Sequence, residues 1–473
     1  MRRISGADAF FLFSERPGWP MHTGSLVVVD PTDAPTYGFD TIRQLLAERV
    51  HKIPEFMMKV KEVPFGLDRP LLVQDPDFNL DYHLHHIAVP APGGPHQLGD
   101  LIGELAESQL DRRRPLWEMW VIEGLEGGRL ALFCKIHHSL IDGVSGAGLA
   151  ELLCDLEPIP LAVPDKPTPS PTPTPERIPS DVELTARGLL AAGTSPVRMV
   201  RWATDASSRM IQTVREARPR GARTILDPAP RLPWNGPLGP LRRFAFLSVP
   251  LDDVKAVRSA FDVKVNDVIL ALSASALRRY LEHHDLLPDE PLVASVPMSM
   301  RSEGDTELGN KIHNMFTSLE THIVDPVERL QSIAAGMDAA KEIGNALKAK
   351  EIRRLSESVV PGLANLAWRA YQGASMEARV PMPSNLVISN IPGAPIPLYT
   401  AGARIERLHP VPPVVMSQGL NITVMSYLDS VDFGFTVERE MIPDPWFMAE
   451  GIPIALAEYV KLAQKSKRQK TTR

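Results

Sequence analysis

The stretch "PDKPTPSPTPTPERIP", residues 164–179, alternates proline with threonine or serine over much of its length. Proline locks φ and has no backbone N–H, so neither a helix interior nor a sheet interior passes through such a run. It reads as an extended, solvated connector. A chain of 473 residues is also too long for one ordinary hydrophobic core. The proline run is therefore expected to separate two lobes: an N-terminal lobe over 1–160 and a C-terminal lobe over 236–460. Between them lie the linker and a basic helix over 161–235, and a basic tail occupies 461–473.

Composition narrows the class. Hydrophobic residues at 44% and charged residues at 23% fit a soluble globular chain, and a net charge of −6 removes the basic excess that nucleic-acid binding needs. Cys134 and Cys154 are too few for a disulfide framework and imply a reducing compartment. The opening "MRRISGADAFFLFSERPGWP" carries an apolar patch too short, and too close to Asp8, for a signal-peptide core. No apolar run reaches the roughly 18 residues of a membrane span. A cytoplasmic location is expected, with room for attachment to a membrane surface.

In the first lobe, "LGDLIGELAESQL" (98–110) spaces Leu98, Leu101, Ile102 and Leu105 as a helix does. "PLWEMWVIEGL" and "GRLALFCKIHH" then read as two strands of a hairpin, and "VSGAGLAELLCDL" as a helix after a turn. Beyond the linker, residues 187–223 carry eight arginines against Asp205 and Glu216, with Val200, Ala203, Met210, Val214 and Ala217 at helical spacing. Such a helix either lies on an anionic lipid surface or bridges the lobes with a solvated arginine face. The tail "KLAQKSKRQKTTR" reads as basic and disordered. In the second lobe, "KVNDVILALSASALRRYL" (264–281) reads as a helix capped by Asn266 or Asp267. Strand-like runs follow at "PLVASVPMS", "IHNMFTSLE", "SNLVISN", "LNITVMSYL" and "DFGFTVE", with helical material around 326–377 between them.

Chemistry concentrates in "CKIHHSLIDG", residues 134–143. On a strand, neighbouring side chains point to opposite faces, so His137 and His138 cannot both serve one substrate. The same geometry disfavours a metal, whose paired histidines need spacing that brings them to one face. Cys134 shares strand parity with His138, but at about 3.3 Å per residue it stands beyond hydrogen-bond reach for a nucleophile–base pair. There is no Gly-X-Ser-X-Gly elbow. General-base catalysis fits better, because an imidazole with a pKa of about 6.5 suits proton removal from an attacking alcohol or amine. Asp142 can fix the following turn by pairing with an arginine, and Gly143 permits the bend.

His137-His138-Ser139-Leu140-Ile141-Asp142-Gly143 resembles the HHxxxDG motif of the CoA-dependent acyltransferase superfamily. Further segments narrow the resemblance to the bacterial wax ester synthase/diacylglycerol acyltransferases. "PMHTGSLVVVD" (20–30) looks like that family's opening strand, Pro115-Leu116-Trp117-Glu118 like its PLWE motif, and Asn266-Asp267 like its ND motif. "VPMSMR" (296–301), "SNIPGAPIPLY" (389–399) and "GLNITVMSY" (419–427) are similar to further family blocks. The matches are collinear over nearly the whole chain; the His-Asn pair of "GNKIHNMF" is a departure.

The resemblance implies an α/β fold of mixed sheets, two-lobed and chloramphenicol acetyltransferase-like, with a channel between lobes. It implies transfer of a long-chain acyl group from acyl-CoA, a co-substrate, to diacylglycerol or a long-chain alcohol. No permanently bound cofactor, metal or nucleic acid is implied. His138 would be the general base, His137 its inward-packed support, Asp142 the orienting residue with Arg301 as its candidate partner, and Gly143 the turn. Asn266, Ser389 and Asn390 are candidate oxyanion or channel residues, while Pro115, Leu116, Trp117, Glu118 and Asp267 fit structural roles better. Lipid substrates make peripheral attachment to the inner membrane or to lipid droplets an expectation, with the basic helix and tail as anchors. A non-catalytic lipid-binding protein and an acyltransferase for another alcohol are the alternatives.

Overall fold

Short runs rich in Val, Ile, Leu and aromatics, bounded by Gly, Pro or Asp, become strands, and among the described residues their pairing builds two mixed six-stranded sheets and one small sheet. The computed structural model describes residues 1–141, 152–159, 169, 177–193, 223, 227–299, 312–346, 382–415 and 417–471. The first part of the chain supplies β1 (Arg2–Arg3), β2 (His22–Asp30), β3 (Met58–Lys61), β4 (Leu71–Gln74), β5 (Leu84–Ala88), β6 (Trp117–Glu123) and β7 (Leu130–His137). The later part supplies β8 (Arg242–Pro250), β9 (Val293–Ser299), β10 (Ile312–Ser318), β11 (Leu386–Ile391) and β12 (Tyr399–Thr400). It ends with β13 (Ala403–Val411), β14 (Leu420–Tyr427) and β15 (Ser430–Glu438).

The first large sheet runs β12-β13-β2-β7-β6-β5 and the second β10-β9-β11-β14-β15-β8. The expected hairpin forms: β6 and β7 pair antiparallel, with Trp117 opposite Ile136. The five strand-like runs of the second lobe become β9, β10, β11, β14 and β15. The division of the chain at 160 and 236 does not carry over to the sheets. β12 and β13, deep in the second half, cross over and complete the first sheet, where β13 lies antiparallel to β2. A strand joins whichever open edge its apolar face can cover, and linear order does not decide which edge that is.

Among the described residues, three of the four apolar clusters hold the two large sheets together. One fills the second sheet and its helices, one fills the first sheet, and a third joins them, with Leu98, Ile102, Trp120 and Phe133 against Phe244, Phe246 and Val411. The helix Pro95–Glu107 lies against β8 because Gly99 and Gly103, one turn apart, present no side chain there; a Cβ on Gly99 would stand 2.5 Å from the Phe244 carbonyl oxygen. β13 and β15 meet still more closely. A Cβ on Gly434 would stand 1.8 Å from the Pro410 carbonyl oxygen. Gly434→Ala is therefore expected to destabilise the fold by about 2–3 kcal/mol, read as a lowered urea midpoint, and an unchanged midpoint would contradict this seating of the sheets.

Several local expectations need correction. The helix expected at 98–110 spans Pro95–Glu107, started by proline at its first position. Neither Asn266 nor Asp267 is the N-cap residue of the helix expected at 264–281, a position that Lys264 holds, though Asp267 caps it from within the first turn. It runs Val265–His283, both residues sit in its first turn, and the Asp267 carboxylate accepts from the Lys264 N–H at 2.8 Å. The tail from 461 is not a disordered appendage. The last helix runs unbroken from Pro445 to Thr471, seated by Met448, Ile452, Leu456 and Tyr459 in the second core. The helical material of 326–377 is described over Pro326–Ala346 only. Residues 144–151 of the helix expected after the turn, most of the proline run, and the basic stretch with Val200, Ala203, Met210, Val214 and Ala217 lie outside the described residues. Among the described residues, no helix is long and apolar enough to cross a membrane.

Candidate active site

The two histidines separate, though not by alternation along a strand. β7 stops at His137, and His138 opens a single helical turn, His138–Ile141. The change of backbone direction, rather than the pleat, sends the rings apart. His137 keeps the ladder, donating its N–H to the Leu116 carbonyl at 3.0 Å, and is fully buried. His138 donates its N–H to the Met21 carbonyl at 2.8 Å, which anchors the new turn to the start of β2.

His138 is half-buried, and its ring stacks on Phe11 of the N-terminal helix, Gly6–Ser14, with centroids 4.1 Å apart and planes at 19°. Burial pushes its pKa down to about 4, against the pull of its own backbone carbonyl, so the ring is neutral at neutral pH. Its Nδ1 is buried without a hydrogen bond of regular geometry. A neutral imidazole in a half-buried residue is equipped to accept a proton.

His137 is held differently. Its Nδ1 accepts from the Ser139 N–H at 3.1 Å and lies 2.7 Å from the Ser139 hydroxyl, which leaves the proton on Nε2. Burial, reinforced by the Arg112 charge and by His138, pushes its pKa down to about 3. Nε2 faces the buried Glu15 carboxylate at 3.7 Å, beyond hydrogen-bond length. Neither Glu15 nor Arg112 was singled out from sequence. Glu15 is the lone acid of "FLFSERPGWP", and Arg112 is one of three consecutive arginines, so neither carries a local mark of burial.

Pro115-Leu116-Trp117-Glu118 fixes β7 just ahead of the site. Pro115 bridges to Lys59, Leu116 accepts from His137, and the Trp117 indole donates to the Phe56 carbonyl at 2.8 Å while stacked between Phe56 and His83. Glu118 meets the wholly buried Lys135 ammonium at 3.1 Å, and that ammonium also donates to the carbonyls of Leu105, in the last turn of the helix Pro95–Glu107, and of Ser108 just after it. Ser389 and Asn390 sit half-buried on β11 opposite Thr423 and Val424 of β14, and Asn266 lies half-buried in its helix. No hydrogen bond joins these three to His138, and Asp142, Gly143 and Arg301 lie outside the described residues.

Cys134 is no nucleophile in this setting. It projects from the opposite face of β7 to His137, is buried, and its thiol pKa is pushed up to about 12.

Residues 4–269 match the wax ester synthase/diacylglycerol acyltransferase catalytic domain, and residues 308–459 the C-terminal domain of the same proteins. The chain belongs to the wax ester synthase/diacylglycerol acyltransferase family. It is 37% identical over 466 residues to a Mycobacterium tuberculosis protein named for diacylglycerol O-acyltransferase activity, covering 98% of this chain and 90% of the relative. A second M. tuberculosis protein so named is 35% identical, covering 92% and 94%. The solved wax ester synthase/diacylglycerol acyltransferase of Marinobacter aquaeolei VT8 superposes with a TM-score of 0.69 at 29% identity, covering 98% of this chain and all of that one. A trichothecene 15-O-acetyltransferase from Fusarium sporotrichioides shares the fold, with a TM-score of 0.58 at 10% identity over 97% and 94% of the two chains. The two family domains together cover most of both halves of the chain, and β12 and β13 lie within the second of them.

Proposed function

We propose that this acyltransferase moves a long-chain acyl group from acyl-CoA to the free hydroxyl of diacylglycerol, giving triacylglycerol and CoA, with long-chain alcohols as further acceptors giving wax esters. The observation that carries the reading is the neutral imidazole of the half-buried His138 just after β7, in a chain matched to this family over both domains. His138 takes the acceptor's hydroxyl proton, and the oxygen attacks the thioester carbonyl. The tetrahedral intermediate collapses with cleavage of the carbon–sulfur bond, and the imidazolium returns the proton to the departing CoA sulfur. No covalent acyl-enzyme forms, in keeping with the enclosed Cys134 thiol. Asp142, Gly143 and Arg301 are assigned to orientation of this turn, and Asn266, Ser389 and Asn390 to the channel or oxyanion, on motif grounds alone.

Diacylglycerol resides in lipid phases, so the working location proposed is the cytoplasmic face of the membrane or the surface of a lipid droplet. The support is the basic end of the last helix, with Lys461, Lys465, Lys467 and Arg468. The deciding experiment supplies palmitoyl-CoA with diacylglycerol in anionic vesicles, with hexadecanol, or with water alone, and follows CoA release and lipid product. Triacylglycerol formation is expected. Product from hexadecanol alone would reassign the acceptor, and no turnover with any acceptor would leave a lipid-binding protein.

A further inference from the structure

Glu15 and Arg112 form an ion pair whose partners converge on His138. The Glu15 side chain is 2% exposed, and its two oxygens divide the work. Oε2 accepts from Arg112 Nε at 3.1 Å and Nη2 at 2.9 Å. Oε1 accepts from the Met21 N–H at 3.2 Å and faces His137 Nε2 at 3.7 Å. Arg112 Nη2 also donates to the Leu12 carbonyl at 2.6 Å, and Nη1 reaches the exposed Glu62 at 2.8 Å. Apart from Glu62, each partner stands next to the proposed base. Leu12 follows Phe11, which stacks on the His138 ring; Met21 accepts the His138 N–H; and His137 precedes His138 in the chain.

We infer that Glu15 and Arg112 are positioning residues for His138, a role that rests on His138 being the base. The Glu15 charge favours the proton on His137 Nε2. That leaves His137 Nδ1 as the acceptor that holds Ser139, the second residue of the His138 turn. Arg112 clamps Glu15 and the end of the N-terminal helix together, so the Phe11 ring and the Met21 carbonyl meet His138 in one fixed arrangement. Neither residue touches the reacting atoms. Burying a carboxylate is costly unless it is paired and hydrogen-bonded, and here the pairing aims the carboxylate at the elements around one side chain.

The test compares Glu15→Gln, Arg112→Lys, Glu62→Gln and His138→Ala in the purified full chain, with kcat and both KM values measured alongside thermal midpoints. Displacements of about 1 Å at a reacting group cost about a hundredfold, so Glu15→Gln is expected to lower kcat by roughly 10- to 100-fold with KM values within about twofold. Arg112→Lys keeps the charge but not the fork, and a smaller kcat loss is expected. Glu62→Gln, on the exposed arm, is expected within about twofold of wild type. Glu15→Gln added to His138→Ala should cost little further, because both act through one group. Positioning is overturned if folded Glu15→Gln keeps wild-type kcat, if its loss lies in KM, or if that loss persists undiminished without His138. If Glu15→Gln does not fold, Arg112→Lys decides on the same readouts. Near-wild-type activity in His138→Ala would instead sink the assignment of the base, leaving the two failures distinguishable.

Discussion

His138→Ala is expected to lower kcat/KM by about a thousandfold, since a positioned general base contributes roughly 10²- to 10⁴-fold. His138 is half-buried and is absent from the apolar clusters of the core, so the variant should fold and still bind acyl-CoA. The pH profile carries independent information. A base must be deprotonated to act, and a pKa of about 4 means that His138 is already neutral from about pH 5.5 upward. The rate of the folded enzyme should therefore be flat between about pH 5.5 and 8. An unshifted histidine would instead give an ascending limb with an apparent pKa of about 6.5. Such a limb would contradict the depressed pKa, and a variant within tenfold of wild type would contradict the role of base.

Acid is expected to unfold this protein well before its carboxylates titrate. Burial holds His83, His137 and His409 neutral, with pKa values of about 4, 3 and 4, and pushes His22 down in the same direction. In the unfolded chain each returns to about 6.5. Below that pH the unfolded state binds protons that the native state refuses, so stability falls as pH falls and continues to fall until the native pKa values are reached. At pH 5 the cost is about 2 kcal/mol for each of the three histidines. Their combined effect is comparable with the whole stability of an ordinary domain, about 5–15 kcal/mol. The thermal midpoint should be nearly constant from pH 7 to 8.5 and drop steadily below about 6.5, with cooperative loss of tryptophan fluorescence structure between about pH 4 and 6. A midpoint at pH 4.5 equal to that at pH 7.5 would show that these rings are not buried neutral.

Much of the secondary structure was legible because its signals are local. The β6–β7 hairpin follows from two apolar runs around "EGG", and β14 and β15 follow from "LNITVMSYL" and "DFGFTVE". The helix Pro95–Glu107 showed its apolar face, though its start lay three residues earlier than the periodicity indicated. The tail was misread because its residues are polar and basic. Its helix is propagated from a buried segment around Tyr459 that composition near the end does not reveal.

The sequence by itself determined the chemistry on offer and its place in the chain. Adjacent histidines before an Asp-Gly turn, a hairpin to carry them, and collinear motifs marked one residue as the candidate base. Only the tertiary structure decided how that residue is held. It ended β7 at His137, placed Phe11 on the His138 ring, and brought Glu15 and Arg112, 97 positions apart, into one buried pair. It also sent β13 into the first sheet, pressed against Gly434. The physical reason is the range of the forces involved. Periodicity and turn preference act over a few residues and can be read from the chain. Burial, and the pairing of charges that burial enforces, depends on which distant segments share a core.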